Sequence, residues 1–340
     1  MKLAKVFFIA AIAATLSLAP LTLSIAQTEK QKPQPKAGKP AEGEGKQEDQ
    51  VIKLGTQLVT VPFNVTDKKN RYINDLAKDD IEILEDNKPQ QLFSFERQTD
   101  LPITIAMLID ISGSQQYTLG EEISAGKTFF RKVLRPKKDL AAIVTFEHES
   151  VLEQNLTSDI DKLIRALDGV RIPAETVTYQ KGGTPPINNS GVGSTALYDS
   201  VYSVSSDLLR REAGRRVIIL VTDGEDTSSS IKLRDAIERT WRSEIIVYSV
   251  GIGGPQGVDQ GTLRKIAAET GGRAFFPRNP RDLDEAYAQI DEDLRSQYIL
   301  AYTPTNGARD GSFRTIQVKI KTHTDLTVRH RRGYFAQKES

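Results

Sequence analysis

Two almost unbroken apolar runs, residues 102–109 and 217–222, each stop at an aspartate, Asp110 and Asp223. A strand with one wet face alternates apolar and polar residues; a run without alternation needs cover on both faces. Strands of that kind belong to parallel sheets sandwiched between helices. Further strand-like stretches fall at 140–146, 245–251 and 273–276, and residues 151–154 read as a short edge strand after a turn at Glu147, His148 and Glu149. Helix-period segments lie at 117–134, 160–170, 196–211, 231–242, 260–270 and 282–296. Their alternation with the strands predicts a doubly wound α/β domain with a mostly parallel sheet. Gly271 and Gly272 form a helix stop, and stripes such as Leu197, Val201, Val204 and Leu208 are core.

Open α/β sheets bind ligands beyond the carboxyl ends of their strands. Asp110 and Asp223 stand there, with Ser112 and Ser114 following Asp110, and Thr195 opening the helical segment after 194. Singly, each is an ordinary turn or cap residue. Together they are hard oxygen donors suited to Mg²⁺, with Mn²⁺ or Ca²⁺ as substitutes. Two carboxylates balance a dication, and three hydroxyls add ligands without charge. Mg²⁺ favours six ligands, so this set leaves a place for water or an outside carboxylate. Gly113 and Gly224 allow tight turns past the strands. Glu225 and Asp226 lie close by and are expected to cap the following helix or face water.

The set Asp110-x-Ser112-x-Ser114, Thr195 and Asp223 resembles the metal-ion-dependent adhesion site of von Willebrand factor type A domains, and the resemblance runs over residues 101–297. It implies that Ser112, Ser114 and Thr195 contact the metal directly or nearly so, and that Asp110 and Asp223 act directly or through water. It also implies that a ligand carboxylate often completes the sphere. One departure is the long Gly-, Pro- and Asn-rich stretch leading to Thr195, residues 172–194, which reads as a loop that either contacts ligand or has no role.

Composition narrows the function further. Net charge is +1 with acids and bases interspersed, so nucleic acid is not an expected partner. Cysteine is absent, which removes disulfide partners, thiolate zinc and thiol nucleophiles. The three histidines are scattered, and His323 and His330 read as surface residues. No phosphate-binding Gly-x4-Gly-Lys loop and no Gly-x-Ser-x-Gly elbow occurs.

The chain begins with Lys2 and Lys5, an apolar stretch to Leu23, and Ser24-Ile25-Ala26, the pattern of a cleavable leader over residues 1–26. Membrane attachment is expected only if that segment stays uncleaved. Residues 27–50 are low in large apolar side chains and read as a disordered linker. From 51 to 98 the period changes to two: Val59, Val61, Phe63 and Val65 mark a strand, with Pro62 pointing to a sheet edge. Segments 81–84 and 91–95 flank a hairpin-like turn at 85–89. These strands are too few to close a sandwich. Strand-like stretches at 298–302, 313–321 and 326–330 supply the rest, giving a small antiparallel β-sandwich built from 51–98 and 298–336, with the α/β domain, 99–297, inserted between. These flanks also resemble a bacterial group of exported von Willebrand factor A-related proteins, at Val65-Thr66-Asp67, residues 80–90, residues 295–304 and Gly333-Tyr334-Phe335.

The expected function is therefore an exported, periplasmic or secreted, non-enzymatic binding protein that captures a protein partner's Glu or Asp through the metal. Two other readings stay open at this level. The metal could staple loops in an envelope assembly, or Asp110 could serve metal-dependent phosphoester hydrolysis.

Overall fold

The computed structural model describes residues 58–97, 100–173, 195–254, 257–322 and 325–338, all within one compact unit, Ile52–Ser340. The leader, the linker, His323 and most of the 172–194 loop lie outside the described residues.

The chain enters through β1 (Val59–Thr66), β2 (Ile81–Glu85), β3 (Lys88–Gln90) and β4 (Leu92–Arg97). It then builds a six-stranded sheet from β5 (Ile103–Asp110), β6 (Leu140–Phe146), β7 (Ser150–Thr157), β8 (Arg215–Thr222), β9 (Ile245–Gly251) and β10 (Ala274–Phe275), in the order β10-β9-β8-β5-β6-β7. Every pair is parallel except β6–β7. All eight residues of β5 are buried, because the pleat sends them alternately into two cores. Ile103, Ile105, Met107 and Ile109 pack with Phe129 and Phe130 of α1 (Leu119–Val133), with Leu163 and Leu167 of α2 (Ile160–Gly169), and with Ile290 and Leu294 of α6 (Pro280–Arg295). Ala106 and Leu108 face the layer of α3 (Leu197–Ser203), α4 (Leu233–Arg242) and α5 (Gln260–Thr270). Fully burying a side chain the size of Phe129 or Phe130 contributes about 1.5–3 kcal/mol before the cost of ordering it.

Local chemistry sets the element ends. Asp159 and Asn279 accept from the first free amides of α2 and α6. Pro280 in the first turn moves the start of α6 upstream of the expected 282. The expected helix 196–211 is instead α3 followed by a π-helical turn, Val204–Leu208. Ser205 bonds back to the Val201 carbonyl at 2.7 Å there, competing with the regular ladder. β7 is longer than the expected 151–154: it pairs antiparallel along β6 and leaves Val151 and Leu152 about half exposed.

The remaining strands, β11 (Tyr298–Tyr302), β12 (Phe313–Ile320), β13 (Thr327–His330) and β14 (Gly333–Phe335), join the first four in two antiparallel sheets, β13-β1-β11-β4 and β14-β12-β2-β3. Their facing side chains, among them Phe63, Ile83, Leu300, Tyr302, Val318 and Tyr334, share one core. β1 is an inner strand and not the edge that Pro62 suggested. The proline is accommodated because β13 pairs only with Phe63–Thr66, leaving no second ladder at Pro62. The turn Asp86-Asn87, with φ of 47° and 63°, joins β2 to β3. Leu92–Arg97 does not complete that hairpin; it crosses to the other sheet and pairs with β11. His330 is half-buried, not a surface residue: its Nε2 accepts from the Val318 amide at 3.2 Å.

The sandwich packs at the amino ends of the parallel strands. Arg215, which opens β8, lies in a small cavity with Thr60 and Pro62 of β1 and Ile299 of β11. Asp293 of α6 receives Tyr72 and Arg329 from the sandwich, and its carbonyl accepts from Asn64 at 2.8 Å. No helix among the described residues is long and apolar enough to cross a membrane.

Candidate metal site

At the opposite, carboxyl edge of the sheet, β5 and β8 run side by side in register, Ile109 against Val221. The pairing brings the next residues together: the Thr222 hydroxyl donates to Asp110 Oδ2 at 2.6 Å. Beyond Asp110 the chain turns sharply. The Ser112 amide donates to Asp110 Oδ1 at 2.9 Å, and a 3-10 turn follows over Gly113–Tyr117. Gly113 itself keeps an ordinary negative φ, so it is Gly224, at φ +88°, whose turn needs glycine.

Ser112 Oγ lies 3.0 Å from Ser114 Oγ, and Ser114 Oγ donates to Asp223 Oδ2 at 2.6 Å. Asp110, Ser112, Ser114 and Asp223 thus stand in one hydrogen-bonded chain. Thr195 is held beside it by its backbone: its amide donates to Thr227 Oγ1 at 2.8 Å, and its carbonyl accepts from the Thr227 and Ser228 amides. No hydrogen bond joins the Thr195 hydroxyl to the other four residues. Asp226 caps the start of α3, accepting from the Tyr198 amide at 3.2 Å, rather than the helix that follows it; Glu225 is exposed as expected.

Asp110 is fully buried and Asp223 is 4% exposed, yet neither forms an ion pair with Lys, Arg or His among the described residues. Burial pushes the Asp110 carboxyl up to about 6, the Thr222 and Ser112 hydrogen bonds oppose that rise, and the charge of Asp223 adds to it. A third acid stands nearby. Glu122 of α1 is 2% exposed, and neither of its oxygens has a hydrogen-bond partner. Burial pushes it up to about 8, the nearby Thr118 hydroxyl opposes the rise, and the fields of Asp110 and Asp223 add to it. Buried negative charge without a counter-charge is costly, and a dication among these groups would reverse that balance. No group of three or more acidic or histidine side chains among the described residues could hold an ion. Any cation here therefore depends on the hydroxyls.

Thr222 and Glu122 escaped the sequence reading. Gln115 is fully buried and its Nε2 donates to Ser114 Oγ at 3.3 Å. Glu122 did leave a trace: with Leu119, Gly126, Phe129 and Val133 it keeps the three-to-four spacing of the buried face of α1.

A family model for the von Willebrand factor type A domain matches residues 104–289, more than half of the chain. The chain belongs to the von Willebrand factor type A family. No curated protein matches it. Among solved structures, proximal thread matrix protein 1 from the mussel byssus aligns over 62% of this chain and 51% of its own, at 15% identity and a TM-score of 0.49. A structure of that protein with a zinc-occupied MIDAS motif aligns over 62% and 50%, at 17% identity and a TM-score of 0.47. The alignment spans about half the length of the mussel protein. A von Willebrand factor type A protein from Catenulispora acidiphila aligns over 85% of this chain and 76% of its own, at 14% identity and a TM-score of 0.46. In this von Willebrand factor type A domain the site edge also carries Tyr117, which is 69% exposed.

Proposed function

We propose that this protein is an exported, non-enzymatic binding protein that captures a protein partner through a divalent cation, the partner supplying a Glu or Asp carboxylate. The observation that carries the reading is the pair of buried carboxylates, Asp110 and Asp223, linked through Ser112 and Ser114 and without an ion pair to a cationic side chain among the described residues. Asp110, Ser112, Ser114, Thr195 and Asp223 would hold the ion; oxygen donors of this kind fit Mg²⁺ first, and Mn²⁺ or Ca²⁺ as well. A bound dication supplies a positive point open to an anionic oxygen. The chain's own residues do the rest. Thr222 and the Ser112 amide orient Asp110, Ser114 and the Glu225 amide orient Asp223, and Tyr117 offers an aromatic contact at the rim. A single carboxylate contact is weak, so specificity falls to the loops around it. Among the described residues the groups bonded to Asp110 are the Thr222 hydroxyl and the Ser112 amide, and no lysine is one of them, which favours capture over turnover. The leader-like residues 1–26 support delivery to the periplasm or the exterior.

Titration of the purified protein with Mg²⁺, Mn²⁺ and Ca²⁺ tests this. One site should titrate, and at a hundredfold excess over Kd the ion should stabilise the fold by about 2.7 kcal/mol. Both effects should vanish in Asp110→Ala and in Asp223→Ala. Absence of any cation effect on the folded wild-type protein would sink the proposal. Capture of an envelope partner that survives removal of the ion would leave the metal a structural role only.

A further inference from the structure

A cleft lies away from the metal edge, at the junction between the α/β domain and the sandwich. It encloses about 620 Å³ between the end of α4, the start of β9 and the strand β14. Its charge is one-sided. Arg210, Arg216, Arg239, Arg242, Arg331 and Lys338 line it, against the acids Glu244 and Asp310. Glu244 is already shared by Arg216 at 3.1 Å and Arg331 at 3.0 Å, and Arg242 is paired with Glu238 at 2.8 Å. Arg210, Arg239 and Lys338 form no ion pair among the described residues.

The donors are also unfinished. The Nε atoms of Arg216, Arg239 and Arg331 are buried and have no hydrogen-bond partner. Native proteins rarely leave such groups unsatisfied, and each needs a reason. Of the five arginines with such a nitrogen among the described residues, three line this cleft. One wall is aromatic, with Trp241, Tyr334 and Phe335, and the Arg242 guanidinium lies 3.7 Å over the Phe335 ring, which fixes that fork in place.

We propose that this cleft is a second binding site, for a compact phosphorylated ligand. Guanidinium forks match the several oxygens of a phosphate bidentately. The volume falls in the range of small-molecule sites and exceeds what one inorganic ion fills. The phosphate can belong to a soluble molecule or to a phospholipid headgroup, since both present the same charged oxygens. The site does not depend on the metal centre, because its residues come from the amino-end side of the sheet and from the sandwich.

Calorimetry with inorganic tripolyphosphate, in buffer freed of divalent ions on a chelating resin, tests the proposal without involving the metal site. The expected result is saturable one-to-one binding that weakens with salt. The double variant Arg210→Gln/Arg239→Gln should lose about tenfold or more in affinity, whereas the charge-matched control Lys162→Gln/Arg165→Gln on exposed α2 positions should lose none. If the first variant misfolds by circular dichroism, Arg210→Gln/Lys338→Gln, at two exposed positions, takes its place with the same expectation. Absence of saturable binding, or equal affinity in folded cleft variants, overturns the site. Sedimentation with phosphatidylglycerol vesicles, competed by tripolyphosphate, assigns the phosphate to a headgroup; tripolyphosphate binding without sedimentation assigns it to a soluble ligand. Vesicle binding that persists in the cleft variants overturns the assignment to this cleft.

Discussion

Glu122 shows how a single side chain couples the site to solution conditions. Its folded carboxyl holds its proton up to about pH 8, against an ordinary value of 4.5. The folded state therefore binds the extra proton, and the stability linked to it is full below about 4.5 and is lost as pH rises through about 8. The metal-free protein should unfold at lower urea between pH 5 and pH 8, and Glu122→Gln should flatten that fall. A variant whose midpoint tracks the wild type across this range would show that the proton resides elsewhere. Side-chain type made the five proposed ligands legible in the sequence, since Asp and Ser at strand ends and Thr at a helix start carry hard oxygens. Thr222 and Glu122 were hidden for opposite reasons: one looks like the last residue of an apolar strand, the other like one of two adjacent acids, Glu121 and Glu122, on a helix surface. Only the register of β5 against β8 and the packing of α1 bring out their roles.

At the scale of elements, the turn after β8 is the most constrained connection near the site. Gly224 has φ +88°, and a Cβ there would lie 2.9 Å from both the Asp259 carbonyl oxygen and Leu263 Cγ. Gly224→Ala should cost about 1–3 kcal/mol and weaken cation binding through displacement of Asp223; thermal melts with and without Mg²⁺ measure both. The central strands were legible because a sheet covered on both faces leaves an apolar signature that no loop imitates. Less visible were features decided by competition within an element or between sheets. Serine back-bonding turns the end of α3 into a π-helical turn, and Pro62 survives in an inner strand because its second neighbour begins one residue later. The exit of Leu92–Arg97 from its hairpin was invisible because its true partner, β11, lies some two hundred residues on in the chain.

At the scale of the molecule, the two chain flanks are joined by one buried charged cluster. Glu85, from the first flank, accepts from Tyr302 at 2.8 Å and Tyr334 at 2.7 Å, and pairs with buried Arg314 at 3.4 Å, all three from the second flank. Arg314 also donates to the Asn306 and Ala308 carbonyls. Removing one partner of a buried pair strands the other, so Glu85→Ala should cost about 3–5 kcal/mol in urea unfolding, and Glu85→Gln less. A cost under about 1 kcal/mol for Glu85→Ala would mean that the cluster does not hold the sandwich together.

The α/β domain starts and finishes on the sandwich, through β5 and α6, while its proposed ligand edge lies at the far tip of the same strands. A partner tugging at that tip would load β5 and β8 along their length and return the force through α6 into β11, flanked on both sides by β1 and β4. Ladders stressed parallel to their strands must break many bonds at once, instead of unzipping one by one. If the proposed capture is right, the pull would run along the strands and not across them, drawing the site edge and its anchor apart lengthwise.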